Sequence, residues 1–189
     1  MHLDEQVTQP SDPSYRIIPL TQGQQAFVSA EDYERVNQFK WFAYWNRSTK
    51  AFYAGRMSRP GEAPTRRIII MGRFILGITD PAILVDHRNH RTLDNRRTNL
   101  RKANRVQNAI NRKKASNKSS RAIGVTFHKR DQKWSAFIKV AGKMTYLGYY
   151  KTEDEAIAAR RAAEPKHHGE FAVTASMENG DTIKGESNA

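Results

Sequence analysis

Residues 85–114 read VDHRNHRTLDNRRTNLRKANRVQNAINRKK, and this stretch decides how the chain is interpreted. It opens on the adjacent pair Asp86 and His87, and asparagines follow at positions 95, 99, 104, 108 and 111. Carboxylate and amide oxygens are ligands that Mg²⁺ takes in proteins. An imidazole, with an ordinary pKa near 6.5, suits a general base. The pattern therefore predicts a site in which Asp86 and Asn108 hold one divalent ion and His87 activates water.

The Asp86–His87 pair also has a plainer interpretation. Neighbouring residues of a regular strand point to opposite faces, so both side chains can serve one site only if the strand ends or twists there. An Asp-His pair with a purely structural role, followed by asparagines that form turns, is the alternative. Spacing alone leaves both interpretations open.

The residues after this loop have helical spacing, which predicts a helix over 98–113 with an apolar side and a basic side. The apolar stripe comprises Leu100, Ala103, Val106 and Ile110. The opposite face carries Arg101, Arg105, Asn108 and Arg112. Four arginines of this stretch, Arg97, Arg101, Arg105 and Arg112, are candidate contacts to the phosphates that flank the site.

Charge is concentrated in the same part of the chain. The protein has 189 residues and a net charge of +13. Residues 96–151 contain 16 Lys and Arg and one acid, Asp131, a net charge of +15, whereas the remainder sums to −2. Such a concentrated basic stretch favours a polyanionic partner, most often nucleic acid, over a merely soluble basic surface.

Composition excludes several classes of protein. The chain has no cysteine, which excludes disulfides and thiolate metal sites, so any metal must be held by oxygen or imidazole ligands. No apolar run approaches the 20 or so residues of a membrane helix, and the first residues lack the pattern of a secretory signal.

Three strand-like segments and a helix follow the basic stretch, at 124–128, 133–140 and 144–150 and from Thr152 onward. Alternation in the second segment places Trp134, Ala136 and Ile138 on one face and Lys133, Ser135, Phe137 and Lys139 on the other. Thr152 followed by three acids is typical of a helix N-terminus. This order predicts a small sheet with one face covered by the helix and the other exposed, carrying lysines and aromatics.

The rest of the chain completes the predicted organisation. Strands are expected around the turn TQGQ, then a helix capped by Ser29, a strand pair across 46–50, and a segment at 65–78 that begins as a strand and turns helical. We predict an α+β protein with disordered residues 1–14, a first domain at 15–113, a basic linker at 114–120, a second domain at 121–172 and a disordered tail at 173–189.

The stretch 85–114 closely resembles the HNH (ββα-metal) nuclease motif of phage and intron homing endonucleases, in its H-N-N variant. The resemblance implies that His87 is the general base, that Asn99 braces the ββα loop, and that Asp86 and Asn108 bind Mg²⁺ or a similar ion such as Mn²⁺. The stretch IPLTQGQQAFVSAEDYERVNQFKWF also resembles the leader of that family.

The second module resembles the Apetala-type DNA-binding domain, in IGVTFHKRDQKWSAFIKVAGKMTYLGYYKTEDEA and HHGEFA. This resemblance implies that the three-stranded sheet enters the major groove of double-stranded DNA. The candidate contacts in this module are Lys129, Arg130, Lys133, Phe137, Lys139, Lys143 and Tyr146.

Together the two resemblances imply a site-specific, metal-dependent DNA endonuclease. They also imply a phage-encoded protein that acts in the cytoplasm of a bacterial host. The sequence leaves the oligomeric state open, with a monomer favoured. One departure is that the family commonly reads M-H-R-L-I where this chain reads MGRFI at 71–75. Gly72 therefore motivates an alternative, a DNA-binding regulator with a decayed nuclease site; RNA binding is a third and weaker option, because the aromatic pattern of common RNA-binding sheets is lacking.

Overall fold

The fold is α+β, as the sequence predicts, and is seen here in a computed structural model that describes residues 7–110, 120–140 and 142–172. The chain folds as two compact units that divide between Arg105 and Val106. The predicted linker 114–120, except Ser120, and the predicted tail 173–189 lie outside the described residues.

Between residues 7 and 105, the N-terminal unit contains three small sheets and two helices. Its strands are β1 (Tyr15–Pro19), β2 (Gln25–Ser29), β3 (Phe42–Asn46), β4 (Ala51–Met57), β5 (Ile68–Ile70), β6 (Leu84–His87), β7 (Asp94–Asn95) and β8 (Leu100–Ala103). Its helices are α1 (Ala30–Asn37) and α2 (Met71–Ile75). The sheets have the strand orders β1-β2-β7, β3-β4-β5 and β6-β8. The strand pairs predicted around TQGQ and across 46–50 are therefore confirmed.

One apolar core holds this unit together. It collects buried side chains from β1, β2, α1, β4, α2 and β8 and from the residue before β3, namely Ile18, Ala26, Val28, Val36, Trp41, Ala54, Met71, Ile75 and Leu100. Burial of such side chains is the main favourable contribution to folding. Because Leu100 belongs to this core, β8 is fixed to the rest of the unit.

The segment before β1 is tied to that strand. The side chain of Gln9 accepts a hydrogen bond from the Ile17 amide at 2.9 Å and donates one to the Ile17 carbonyl at 3.0 Å. The stretch 1–14, predicted to be disordered, thus includes a residue that is hydrogen-bonded to β1. Residues 1–6 lie outside the described residues.

The prediction of a helix over 98–113 was wrong for the first half of that range. Leu100–Ala103 is strand β8, which pairs antiparallel with β6, and the helix, α3, spans Arg105–Ile110. The apolar stripe is not formed, because Leu100 and Ala103 are buried in the strand whereas Val106 is 65% exposed. The resulting order is β6, β7, β8 and then α3, with β6 and β8 paired to each other.

The C-terminal unit is a three-stranded antiparallel sheet packed on one helix, as predicted. Its strands are β9 (Val125–His128), β10 (Lys133–Val140) and β11 (Lys143–Tyr150), in the order β11-β10-β9. Helix α4 (Glu153–His168) covers one face and is followed by a short 3-10 turn, Gly169–Phe171. Thr152 and Glu155 form a reciprocal capping box at the start of α4.

No helix in residues 7–110, 120–140 and 142–172 combines the length and apolar composition needed to cross a membrane.

Candidate active site and nucleic-acid interface

Asp86 lies on β6 directly opposite Arg101 on β8. Their side chains form an ion pair, in which Arg101 Nε donates to Asp86 Oδ2 at 2.6 Å. The side chains are only 7% and 4% exposed, respectively. Arg101, predicted to hold a DNA phosphate, is therefore a buried partner of the predicted metal ligand.

His87 is the last residue of β6. The strand therefore ends at this pair, as it must if the side chains of Asp86 and His87 are to serve one site. Its ring is buried and lies edge-on to Tyr53, with 6.1 Å between ring centroids. Burial lowers the pKa of His87 below its ordinary value, although a hydrogen bond to Asn95 and the charges of Asp86 and Asp94 oppose that effect. The imidazole is therefore neutral at neutral pH, which is the form a general base needs.

Asn99 connects the two ends of the loop that joins β6 to β8. Its Oδ1 accepts a hydrogen bond from the Asn89 amide at 2.9 Å, and its Nδ2 donates to the Asp94 carbonyl at 2.7 Å. The Arg88 amide also donates to the Asn99 carbonyl at 2.9 Å. Because Asn99 is buried, these bonds fix the path of the loop beside His87.

Asp94 reinforces the same loop from its far side. Its carboxylate accepts hydrogen bonds from Arg96 at 2.7 and 2.8 Å and from Asn89 at 2.9 Å. Burial alone would raise the pKa of Asp94, but these bonds and the charge of Arg96 outweigh it, and the pKa lies below its usual range. In addition, β7 pairs in parallel with β2 and anchors the loop to the N-terminal sheet.

Gly72 lies on α2 against this site. A Cβ at position 72 would lie 3.1 Å from Val85 Cγ1 and 3.3 Å from Asn95 Oδ1. A larger side chain here would press on Asn95, which hydrogen-bonds His87. Position 72, where the motif that the chain resembles commonly has histidine, therefore lies against the candidate site. Glycine at this position fits the close packing around Asn95.

The donors available for a metal ion are oxygen atoms. Mg²⁺ commonly takes one or two protein ligands and completes its shell with water and phosphate, so Asp86 and Asn108 have suitable chemistry. Asp86, however, already shares one oxygen with Arg101, and an ion there would compete with that guanidinium. Within the described ranges, no group of three or more His, Asp or Glu is placed to hold a metal ion.

Asn108 and Arg105 lie on α3, which has no buried residue, and both are exposed. Asn108 falls after the division at Arg105 and belongs to the C-terminal unit. Arg112, predicted beside them, lies outside the described residues.

Arg97, also predicted to contact DNA, is hydrogen-bonded to two residues of the N-terminal unit. Its side chain donates to both oxygens of Asp32 at 2.7 and 2.8 Å, and its amide donates to Ser29 Oγ at 2.9 Å. Ser29 precedes α1, as predicted, but it accepts this bond rather than a cap bond within the helix. With Arg96 and Arg101 paired as well, much of the positive charge of residues 96–101 is balanced inside the N-terminal unit.

The C-terminal unit also carries accessible positive charge. Its described ion pairs involve Arg121, Arg130 and Arg160 and no lysine. Its exposed cations near the sheet are Lys129, Arg130, Lys133, Lys139 and Lys143. Arg121 is held by Glu153 and Asp154 at the start of α4, so lysine supplies most of the accessible charge.

The face of the C-terminal sheet opposite α4 is called the outer face. Cross-strand partners in an antiparallel sheet share a face. The register opposes Lys133 to His128, Ser135 to Tyr149, Phe137 to Tyr146 and Lys139 to Met144, and these eight residues lie on the outer face.

Trp134 packs on the other side against the core, as predicted. Lys143 opposes Val140 and thus lies off the outer face, and Lys129 and Arg130 lie in the turn after β9.

Three rings form a row across the outer face, and the sequence prediction included only one of them, Tyr146. Tyr149 contacts Tyr146 at 5.4 Å and His128 at 5.2 Å between centroids. Simple alternation would have put Tyr149 inside, but the register shifts between Ala136 and Phe137 and returns it to the outer face. The glycine at 148, with φ of 139°, was the available signal of that bulge.

No family model, curated protein or solved structure matches this chain.

Proposed function

We propose that the protein is an HNH-type, metal-dependent DNA endonuclease whose C-terminal sheet binds the target duplex. The observation that carries the proposal is the pair Asp86 and His87 at the end of β6, beside a loop cross-linked by Asn99. The spacing of these residues and of Asn108 is that of the motif, and the paired strands β6 and β8 precede helix α3.

The proposed reaction is hydrolysis of a phosphodiester. Neutral His87 accepts a proton from water as the water oxygen bonds to phosphorus and one ester P–O bond breaks. Asn99 keeps the loop in place, and through Asn95 the loop orients the imidazole. The motif that the chain resembles assigns the divalent ion to Asp86 and Asn108, and the ion would stabilise negative charge on the phosphate and the leaving oxygen.

Cleavage of DNA by the full chain tests the catalytic part. Wild type should cleave phage or plasmid DNA with Mg²⁺ or Mn²⁺, whereas His87→Ala and Asp86→Ala should lose at least a hundredfold in rate. His167→Ala, on α4 of the C-terminal unit, and Asp80→Asn, at an exposed position before β6, serve as matched controls and should cleave as wild type does. Equal cleavage by all five proteins would refute the assignment of the site.

Salt dependence of binding tests the sheet. Each phosphate contact contributes a slope of about −0.9 in the plot of log affinity against log salt. Lys133→Ala should therefore reduce the slope by about one contact, whereas Lys166→Ala, at the end of α4, should leave it unchanged. Binding that does not respond to salt would contradict a DNA interface on this unit.

Two observations favour a second candidate, a DNA-binding protein that does not cleave. Asp86 is already neutralised by Arg101 in a buried ion pair, and Gly72 stands where the family commonly has histidine. This candidate predicts salt-sensitive binding with no cleavage in any divalent ion. The cleavage experiment above distinguishes the two.

A further inference from the structure

The outer face combines accessible positive charge with an unusual amount of exposed apolar and aromatic surface. Tyr146 is 56% exposed, Tyr149 48% and Met144 57%. Lysines at 133 and 139 lie on the same face, at the two ends of β10. Exposed apolar clusters of this kind commonly mark binding sites, and the lysines suit a partner that carries negative charge.

The geometry of the rings indicates how this surface meets its partner. Tyr149 is inclined at 67° to Tyr146 and at 84° to His128, so the three rings pack edge to face. Ser135, buried between them on the central strand, is small enough to let His128 and Tyr149 meet over it. Rings fixed against each other at these angles present a continuous apolar ridge and not a set of parallel plates onto which single-stranded bases could stack.

Arginine, the residue that most often reads guanine, is missing from this ridge. The strands VTFH, KWSAFIKV and KMTYLGYY contain no arginine. Arg121 is bonded to Glu153 and Asp154, and Arg130 lies in the turn between β9 and β10. In the major groove the apolar feature of the base pairs is the 5-methyl group of thymine, which makes contacts with apolar and aromatic side chains.

We propose that the outer face recognises thymine 5-methyl groups in the major groove of duplex DNA, through Tyr146, Tyr149, Phe137 and Met144. The lysines contact the flanking phosphates and position the sheet. The inference rests on the proposed DNA-binding function of this unit and adds the class of sequence, thymine-bearing duplex, that the unit selects. It does not depend on cleavage.

The test removes methyl groups from the DNA and not only side chains from the protein. The full chain is used to enrich duplexes from a pool of random sequence, and the most enriched duplex is synthesised with thymine or with uracil. Affinity is measured by fluorescence anisotropy for wild type, for the double variant Tyr146→Ser/Tyr149→Ser and for Lys133→Ala. Because the thymine-to-uracil change leaves the protein intact, a folding defect in a variant cannot mimic the result.

Wild type should bind the uracil duplex more weakly, by about fourfold for each methyl group contacted. The double variant should bind the two duplexes with nearly equal affinity, and Lys133→Ala should weaken both by the same factor. Equal binding of the two duplexes by wild type, or tighter binding of single-stranded DNA or RNA than of duplex, overturns the proposal. Failure of the proposed function looks different, because then no duplex is enriched at all or bound DNA is never cut.

Discussion

Asp86 and Arg101 face each other across β6 and β8, and the 2.6 Å ion pair between them is buried on both sides. This pair joins the strand that ends in His87 to the strand that follows the loop. It also explains how both charged groups can be buried, because a buried guanidinium or carboxylate is tolerated only when it is paired. The pair is thus part of the scaffold of the candidate site.

Arg101→Leu should lower the free energy of unfolding of the N-terminal unit by about 3–5 kcal/mol, because it leaves the Asp86 charge buried without its main partner. The double variant Asp86→Leu/Arg101→Leu should recover much of this loss, since both charges are then gone. Hydrogen exchange measured by mass spectrometry resolves the two units. Arg121→Leu, at an exposed ion pair, is the control and should cost about 1 kcal/mol or less; a similar small loss for Arg101→Leu would contradict the prediction.

Asn99→Ala should separate stability from cleavage. Loss of its two buried side-chain bonds leaves the Asn89 amide and the Asp94 carbonyl unsatisfied and should cost about 1–3 kcal/mol in the N-terminal unit. DNA affinity of the C-terminal sheet should be unchanged, whereas cleavage should fall, because the loop beside His87 is no longer fixed. Parallel anisotropy and cleavage measurements check this. A variant that binds DNA and cuts at the wild-type rate would show that the brace is dispensable.

Asp94 gives the N-terminal unit a dependence on acid pH. Its folded pKa lies below the ordinary 3.8, so its contribution to stability is fully present above 3.8 and is lost as the pH falls from there through the folded pKa. Asp94→Asn should therefore be less stable than wild type by about 1–3 kcal/mol at pH 6, and the difference should shrink at pH 3. Asp80→Asn, at an exposed loop position, controls for the loss of one negative charge. A difference that stays constant between pH 6 and pH 3 would argue against a charged role for Asp94.

The C-terminal unit was predictable because its local signals agree with its packing. Alternation along β10, turn residues between the strands and the cap at Thr152 each act over a few residues, and the helix then covers the apolar face that alternation defines. The outward position of Tyr149 was not predictable from alternation, since it depends on one extra residue in β11.

Strand β8 was missed for a different reason. Leu100 and Ala103 are three residues apart, which fits a helix, and Arg101 between them looks like the residue of a solvated face. Arg101 is in fact buried, because Asp86 lies opposite it on β6. An ion pair between residues 15 positions apart leaves no trace in local periodicity. The candidate site residues could be predicted even so, because motif spacing, unlike periodicity, does not require the elements to be assigned correctly.

Gly124 is the position where a single methyl group should disable the C-terminal unit. Its φ of +76° favours glycine, and a Cβ there would lie only 2.3 Å from the Phe137 carbonyl oxygen and 2.8 Å from Arg160 Nε. The Gly124 carbonyl also accepts a hydrogen bond from the Phe137 amide at 2.8 Å, so the backbone cannot move away without breaking it. Gly124→Ala should therefore destabilise this unit by more than about 1 kcal/mol, lower DNA affinity, and leave hydrogen exchange of the N-terminal unit unchanged.

Gly142→Ala, where φ is also positive but no atom lies within 4 Å of the added Cβ, isolates the backbone part of the effect. If the two variants lose equal stability, strain at positive φ is sufficient, and the close approach of Phe137 and Arg160 carries no cost of its own.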